Sequence, residues 1–426
     1  MNIPVSTVTT QSEETPERID RQVAPFGNPS PKLPEIQVGL LTGGFDRPYA
    51  FGIAMALAGK GVSPDVIGGA EVDSPEMHET RGVNFVDAYG DPRRETGLLA
   101  RALRVLKSYL RILRYAASTE AKILHLLWNN KFPFFDRTLL MLYYKVLGKK
   151  VVFTAHNVNA GKRDGNDSWH NQLGLKAQYR MADHIFVHTE KMKTELLEEY
   201  GVGGDAVTVI PFGINNSVPD TGLTPAEAKC RLGIANGERA ILFFGAIRPY
   251  KGLEHLVAAF QRIAPKHQNI RLMVVGESKK GSEQYWLNIQ KAIESDPCYA
   301  QVIQRIEFVP DEETELYFKA ADVTVLPYTE VFQSGVLFLA YSFGLPVIAS
   351  DVGSFRDDIL SGKTGFLSRS CSGSDLADAL ETYFASDLYL HLDQRRREIK
   401  EFANARNSWS LVGDKTRSIY EKLLKN

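Results

Sequence analysis

Short apolar runs recur along this chain, each followed by turn residues and then by a helical stretch. Such runs predict strands buried on both faces, joined by crossover helices. In the first half they fall at 37–41, 62–68, 123–127, 151–154, 184–187 and 207–210, with a helix over about 49–60 after the first. In the second half they fall at 240–244, 271–275, 306–309, 323–326 and 346–349. Between the two series lies a cluster of chain-breaking residues, with Pro211, Phe212, Gly213, Asn215, Asn216, Pro219 and Pro225 in one stretch. Strands alternating with helices at this spacing imply parallel sheets. The expected fold is therefore α/β, with two Rossmann-like domains facing across a cleft. Ligands of such sheets bind beyond the carboxyl ends of the strands. We expect a disordered tail over 1–34, an N-terminal domain over 35–213 and a C-terminal domain over 214–400. A closing helix within 401–426 is expected to pack back on the N-terminal domain.

Composition narrows the function. The 426 residues are 44% hydrophobic, enough for two cores. A formal net charge of -1 gives no global attraction to nucleic acid or membrane. The three cysteines, Cys230, Cys298 and Cys371, are too dispersed for a metal site or disulfide framework. No apolar run reaches the ~20 residues of a membrane helix. The first residues have no signal-like apolar core, so a cytoplasmic protein is expected, with peripheral membrane contact open to it.

Candidate chemistry sits in strand-to-helix loops of the second half. After the run 240–244 come Gly245, which permits a sharp turn, and then Arg248 and Lys251 at the start of a helix. Two cations beside helix-terminal amides suit a phosphate, although a solvated surface pair reads the same way. The second loop is Gln333, Ser334, Gly335 and Val336. If Ser334 caps the following helix, small side chains leave its first amides open to an anion. An ordinary cap on a buried helix is the alternative. Gly362, Lys363 and Thr364 mimic the end of a P-loop, but the earlier glycine is absent.

FFGAIRPYKGLEHLVAAF, AADVTVLPYTE, QSGV, FGLPVIASDVGSF and SGKTGFL, in that order over about 240–368, resemble the GT-B glycosyltransferases of family 4. THAT resemblance extends upstream to Thr154, Ala155, His156, Asn157 and Val158, and to residues 210–214. It implies retaining transfer of a sugar from a nucleoside diphosphate sugar, without a bound metal or cofactor. It implies that Lys251, with Arg248, grips the diphosphate and that Gln333, Ser334, Gly335 and Val336 offer amides to it. Gly245 belongs to the same loop, and Phe308, Val309 and Pro310 match the stretch that brackets the base. Gly43 and Gly44 match a glycine loop approaching the donor, and His156 a histidine touching the transferred sugar. By the resemblance, His156, Arg248 and Lys251 are the catalytic candidates and the others donor-binding. His156 also reads as a satisfied interior histidine.

This sequence departs from the family at three places. The family arginine directly after the glycine is replaced by Ala246, with Arg248 two positions on. Of its paired glutamates, the first position holds Val331, beside Glu330, and the second holds Leu339. A leucine cannot accept hydrogen bonds from a ribose. A non-catalytic GT-B scaffold, or another GT-B nucleotide-sugar enzyme, therefore stands beside the transferase reading.

The acceptor is expected to be a saccharide or a lipid-linked sugar. Arg101, Arg104, Lys107, Arg111 and Arg114 share one side of a helix over 98–117, with Leu103, Leu106, Leu110 and Leu113 in an adjoining stripe. A basic amphipathic helix can lie on an anionic membrane, and a crossover helix with a solvated basic face has the same pattern. The loop 128–136 combines Trp128, Phe132, Phe134 and Phe135 with Asn129 and Asn130, which suits a sugar or plain loop packing.

Overall fold

The computed structural model describes residues 36–425 except Phe45, 92–96, Asp164, Asn166 and Ser217, so the tail expected over 1–34 lies outside the described residues. Among the described residues the first sheet comprises β1 Ile36–Leu41, β2 Val62–Gly68, β3 Asn84–Asp87, β4 Ile123–Leu126, β5 Lys150–Thr154, β6 His184–Val187 and β7 Val207–Val209. Their order across the sheet is β3-β2-β1-β4-β5-β6-β7. The second comprises β8 Arg239–Phe244, β9 Ile270–Val275, β10 Val302–Arg305, β11 Val323–Leu326, β12 Val347–Ser350 and β13 Gly365–Ser368, ordered β10-β9-β8-β11-β12-β13. All pairings are parallel. All carboxyl ends of a sheet therefore open on one side. Central strands such as β4, β6, β11 and β12 are buried throughout, which is why they read as short, largely apolar runs, each with one buried polar residue.

Two corrections concern edges. The run 306–309 is not a strand; the edge strand is Val302–Arg305. Its neighbour β9 stops at Val275, and the amide of Gly276 donates to the Arg305 carbonyl at 2.9 Å. Beyond that point residues 306–309 have no ladder to join. The short edge strands β3 and β13 carry too few apolar positions to stand out in the sequence.

The final helix, Trp409–Lys425, lies along the helix Arg47–Ala58 of the first half. Gly413 makes the approach possible: a Cβ there would sit 2.9 Å from the Ala56 carbonyl oxygen. Tyr420 is buried in the same core and meets His125 Nδ1 at 2.6 Å. Trp409 pins the crossing, its indole Nε1 donating to the Ile214 carbonyl at 2.9 Å. The described residues form one compact unit, and the halves touch through Phe212 stacked on Phe338 at 5.5 Å.

Candidate functional site

The site is built on two facing rims of strand ends. In the second half, β8 runs into Gly245, and a 3-10 turn, Pro249–Lys251, follows. The turn closes on Gly252, which has φ 62 and whose added Cβ would lie 2.0 Å from the Pro327 carbonyl oxygen. Only glycine fits that crowded left-handed position. It holds Lys251 in place: a Cβ on Gly245 would meet Lys251 Nζ at 3.0 Å and Val336 Cγ2 at 3.5 Å. One loop thus shares a spot with Val336, which is distant in sequence.

Lys251 is 7% exposed. Burial lowers its pKa; Tyr250 opposes this, while the cations Arg248 and Arg163 add to it. Its Nζ stands 5.4 Å from the centroid of Tyr328. A buried ammonium facing cations and a ring is undercompensated, so the position is chemically suited to an anion.

The helix Gly335–Ser342 aims its start at the same place. Ser334 caps it, with Oγ accepting from the Leu337 amide at 3.4 Å. The amides of Gly335 and Val336 lie in the first turn, where no helical carbonyl can receive them. A Cβ on Gly335 would meet nothing within 4 Å, so the approach is open. Gln333 turns away: its Nε2 donates to Asp358 at 3.2 Å, leaving buried Oε1 without a partner. Phe332 inserts into the buried cluster holding Ala155 and Val158 of the first half. That contact brings the loop to the opposite rim.

On that rim, Gly43 and Gly44 follow β1 in left-handed conformations, φ 64 and φ 78. A Cβ on Gly43 would lie 2.8 Å from Trp128 Cβ, so the glycine lets the loops pack. Trp128 in turn stacks on His156, centroids 4.2 Å apart and 11° from parallel. Tyr49 packs against the same imidazole edge-to-face at 4.5 Å. His156 is 6% exposed, and its Nδ1 meets His188 Nε2 at 3.1 Å. Its Nε2 is buried without a partner, so the interior reading of His156 leaves half the ring unexplained. Burial pushes its pKa well below the usual histidine range, with His188 and His125 adding to this. Above the depressed value the ring is neutral and can exchange hydrogen bonds with hydroxyls.

Not every candidate joins the cluster. The Arg248 side chain is exposed and acts on the Lys251 ammonium through its charge, while its backbone carbonyl accepts from the Lys251 amide at 3.0 Å. Phe308 is 70% exposed beyond β10, Val309 is buried in the second core and Pro310 begins the helix Asp311–Ala320. Leu339 is 7% exposed within the second core, where a glutamate would be uncompensated unless a ligand met it. Val331 is buried as well, while Glu330 stands in solvent. Sequence reasoning missed His188, Tyr328 and the pairing of Arg163 with Tyr250 at 4.4 Å across the rims. His188 carried one usable signal: it directly follows β6, as His156 follows β5 two residues on.

The fold and these rims define a GT-B glycosyltransferase. The chain belongs to that family: residues 226–406 match the family model for glycosyl transferases group 1, and residues 48–218 that for glycosyltransferase family 4. Among sequences, it is similar to the D-inositol 3-phosphate glycosyltransferase of Nocardia farcinica, 30% identical over 243 residues, 54% of this chain and 52% of the relative. A protein of the same description from Corynebacterium aurimucosum is 27% identical over 286 residues, covering 63% of this chain and 65% of that one. The chain spans about half the length of the first of these curated relatives. Among solved structures, sucrose-phosphate synthase from Thermosynechococcus elongatus has TM-score 0.72 at 18% identity, covering 92% of this chain and 99% of that chain. Anabaena Alr3699/HepE in complex with UDP and glucose has TM-score 0.69 at 16% identity, covering 92% and 100%. At such identities the structural likeness is one of fold.

Proposed function

We propose that this protein is a retaining hexosyltransferase. It moves a glycosyl group from a nucleoside diphosphate sugar to a saccharide or lipid-linked acceptor, in cell-surface polysaccharide or glycolipid assembly. The observation that carries this is the buried, undercompensated Lys251 beside Gly245 and Val336. It supplies positive charge where helix-terminal amides also point, the requirement of a departing diphosphate. Lys251, the amides of Gly335 and Val336 and, at longer range, Arg248 stabilise the leaving group without a metal ion. The departing phosphate takes the acceptor proton as the hydroxyl attacks from the same face, which retains configuration. His156 holds the sugar from the opposite rim, and Gly43 and Gly44 let the N-terminal loop approach it. Phe308, Val309 and Pro310 flank the base. The D-inositol 3-phosphate glycosyltransferases support glycosyl transfer, and the UDP- and glucose-bound Alr3699/HepE supports a sugar nucleotide donor. Titration calorimetry against UDP, GDP and ADP and their common sugar conjugates tests this reading. Selective binding of one nucleotide supports it.

The buried Leu339 favours the rival reading, a non-catalytic GT-B scaffold. Binding of none of the nucleotides would put the scaffold first.

The lipid-linked acceptor is supported by the helix Leu98–Ser118. Its core side is Tyr109, Ile112 and Ala116, while Leu98, Leu99, Leu103, Leu106 and Leu110 are exposed. A crossover helix that merely solvated its basic face would turn those leucines inward. Leucines and cations presented together suit an anionic bilayer on the cytoplasmic side. No helix among the described residues is long and apolar enough to cross a membrane. Arg104→Glu with Arg111→Glu should lower affinity for vesicles containing anionic lipid by about thirtyfold, at roughly 1 kcal/mol per basic residue lost. Co-sedimentation measures it, and failure of the unaltered protein to sediment removes the membrane from the proposal.

A further inference from the structure

His188 has no role in the reading above, yet it is 6% exposed and bonded on both ring nitrogens. Its Nδ1 lies 3.3 Å from the Ile210 carbonyl oxygen, which can only accept. Nδ1 must therefore carry the hydrogen. In a neutral ring that leaves Nε2 with a lone pair. His188 Nε2 faces His156 Nδ1 at 3.1 Å, so the hydrogen between them belongs to His156 Nδ1. A neutral His156 with hydrogen on Nδ1 has a bare lone pair on Nε2, the buried atom without a partner. The opposite arrangement needs either two lone pairs facing each other at Ile210 or a charged His188. Burial opposes that charge, pushing His188 down to about 4. Rotation of the ring is opposed by Trp128 stacked on one face and by the edge-to-face contact with Tyr49.

We infer that His188 is a positioning residue: it fixes the tautomer of His156, so that Nε2 is an acceptor and recognises a hydroxyl donor on the bound sugar. The backbone carbonyl of Ile210 is the reference for this chain of bonds, because a carbonyl has no tautomer. Fixing the lone pair beforehand removes a choice the ring would otherwise have to make on binding. It also sets specificity: a sugar hydroxyl can donate to Nε2, whereas a carbonyl or ether oxygen at the same place meets a second lone pair. The tautomer is a property of the chain alone; what it selects rests on the donor-binding reading above.

The test uses the full chain with 15N-labelled histidine, with His156→Gln to assign the His156 signals. The unaltered protein should show His156 with protonated Nδ1 and unprotonated Nε2. In His188→Phe the His156 signals should shift toward the Nε2-protonated tautomer. In His188→Gln they should stay, since the amide oxygen can accept from His156 while the amide nitrogen donates to Ile210. Binding is then compared for UDP and UDP-glucose, GDP and GDP-mannose, and ADP and ADP-glucose. His188→Phe should leave affinity for the nucleotide alone unchanged and remove about five- to tenfold of the gain conferred by the sugar, the effect of one hydrogen bond. His188→Gln should restore that gain. A proton on His156 Nε2 in the unaltered protein overturns the inference, whether or not any nucleotide binds. Equal loss for nucleotide and sugar nucleotide in His188→Phe also overturns it, because that is general damage. If no nucleotide binds the unaltered protein, the donor reading and the proposed selection fail together, while the spectra still decide the tautomer.

Discussion

Lys251→Ala is expected to weaken nucleotide binding by about 3 kcal/mol, roughly a hundredfold in Kd. The size follows from where the ammonium sits. A surface lysine contributes little to anion binding because water and salt screen it. Lys251 is buried beside Gly245 and Val336, where screening is weak. The same burial predicts an opposite effect on the unliganded protein. Lys251→Met keeps the stem and removes a charge the fold does not balance, so the empty protein should be about 1–3 kcal/mol more stable. The pH dependence has a defined sign. The folded pKa is lowered by burial, so the unfolded chain binds more protons between that value and lysine's ordinary one. Stability then rises with pH across that window, and Lys251→Met should lose the rise. Calorimetry reads the binding, and denaturation midpoints with and without nucleotide read the stability. Cys298→Ala, in a turn outside both rims, should change neither. Unchanged binding in Lys251→Ala would remove Lys251 from the site.

The second large effect concerns the crossing of the halves. Gly52→Ala lies inside the helix Arg47–Ala58, where alanine is ordinarily favoured by about 1 kcal/mol. Here the sign should reverse. A Cβ on Gly52 would lie 2.1 Å from both Cε2 and Cζ2 of Trp409, and a Cβ on Gly213 2.4 Å from the same atoms. The indole cannot step aside easily, since Nε1 donates to Ile214 and Tyr49 abuts the ring at 5.3 Å. Gly52→Ala should therefore cost about 2 kcal/mol through overpacking. Trp409→Ala should cost about 3 kcal/mol through the cavity and the lost hydrogen bond. In the Trp409→Ala background, Gly52→Ala should become neutral or favourable by up to about 1 kcal/mol. Urea unfolding of the four proteins gives this cycle. Additive losses would show that Gly52 and Trp409 do not share the space.

Much of this was legible beforehand. The buried strands announced themselves because crossover helices cover both faces and demand apolar side chains at most positions. The loop carrying Gly245 and Lys251, and the Ser334 cap, were visible because turns and caps have local residue requirements. The edges were not. Val302–Arg305 is half exposed and ends where its neighbour turns away, so the apolar residues after it misled the reading. Leu103, Leu106 and Leu110 fit a buried stripe by spacing, but Tyr109, Ile112 and Ala116 take the core instead. Spacing defines a stripe and does not say which stripe finds a partner.

The sequence by itself determined the α/β class, the break between two halves and the loops that carry the candidate anion-binding residues, because each depends on neighbours along the chain. The tertiary structure alone decided that Lys251 is buried beside Val336 and that Trp409 threads between Gly52 and Gly213. It also decided that His188 faces His156. Those contacts join residues tens to hundreds of positions apart, and packing rather than any local preference selects them.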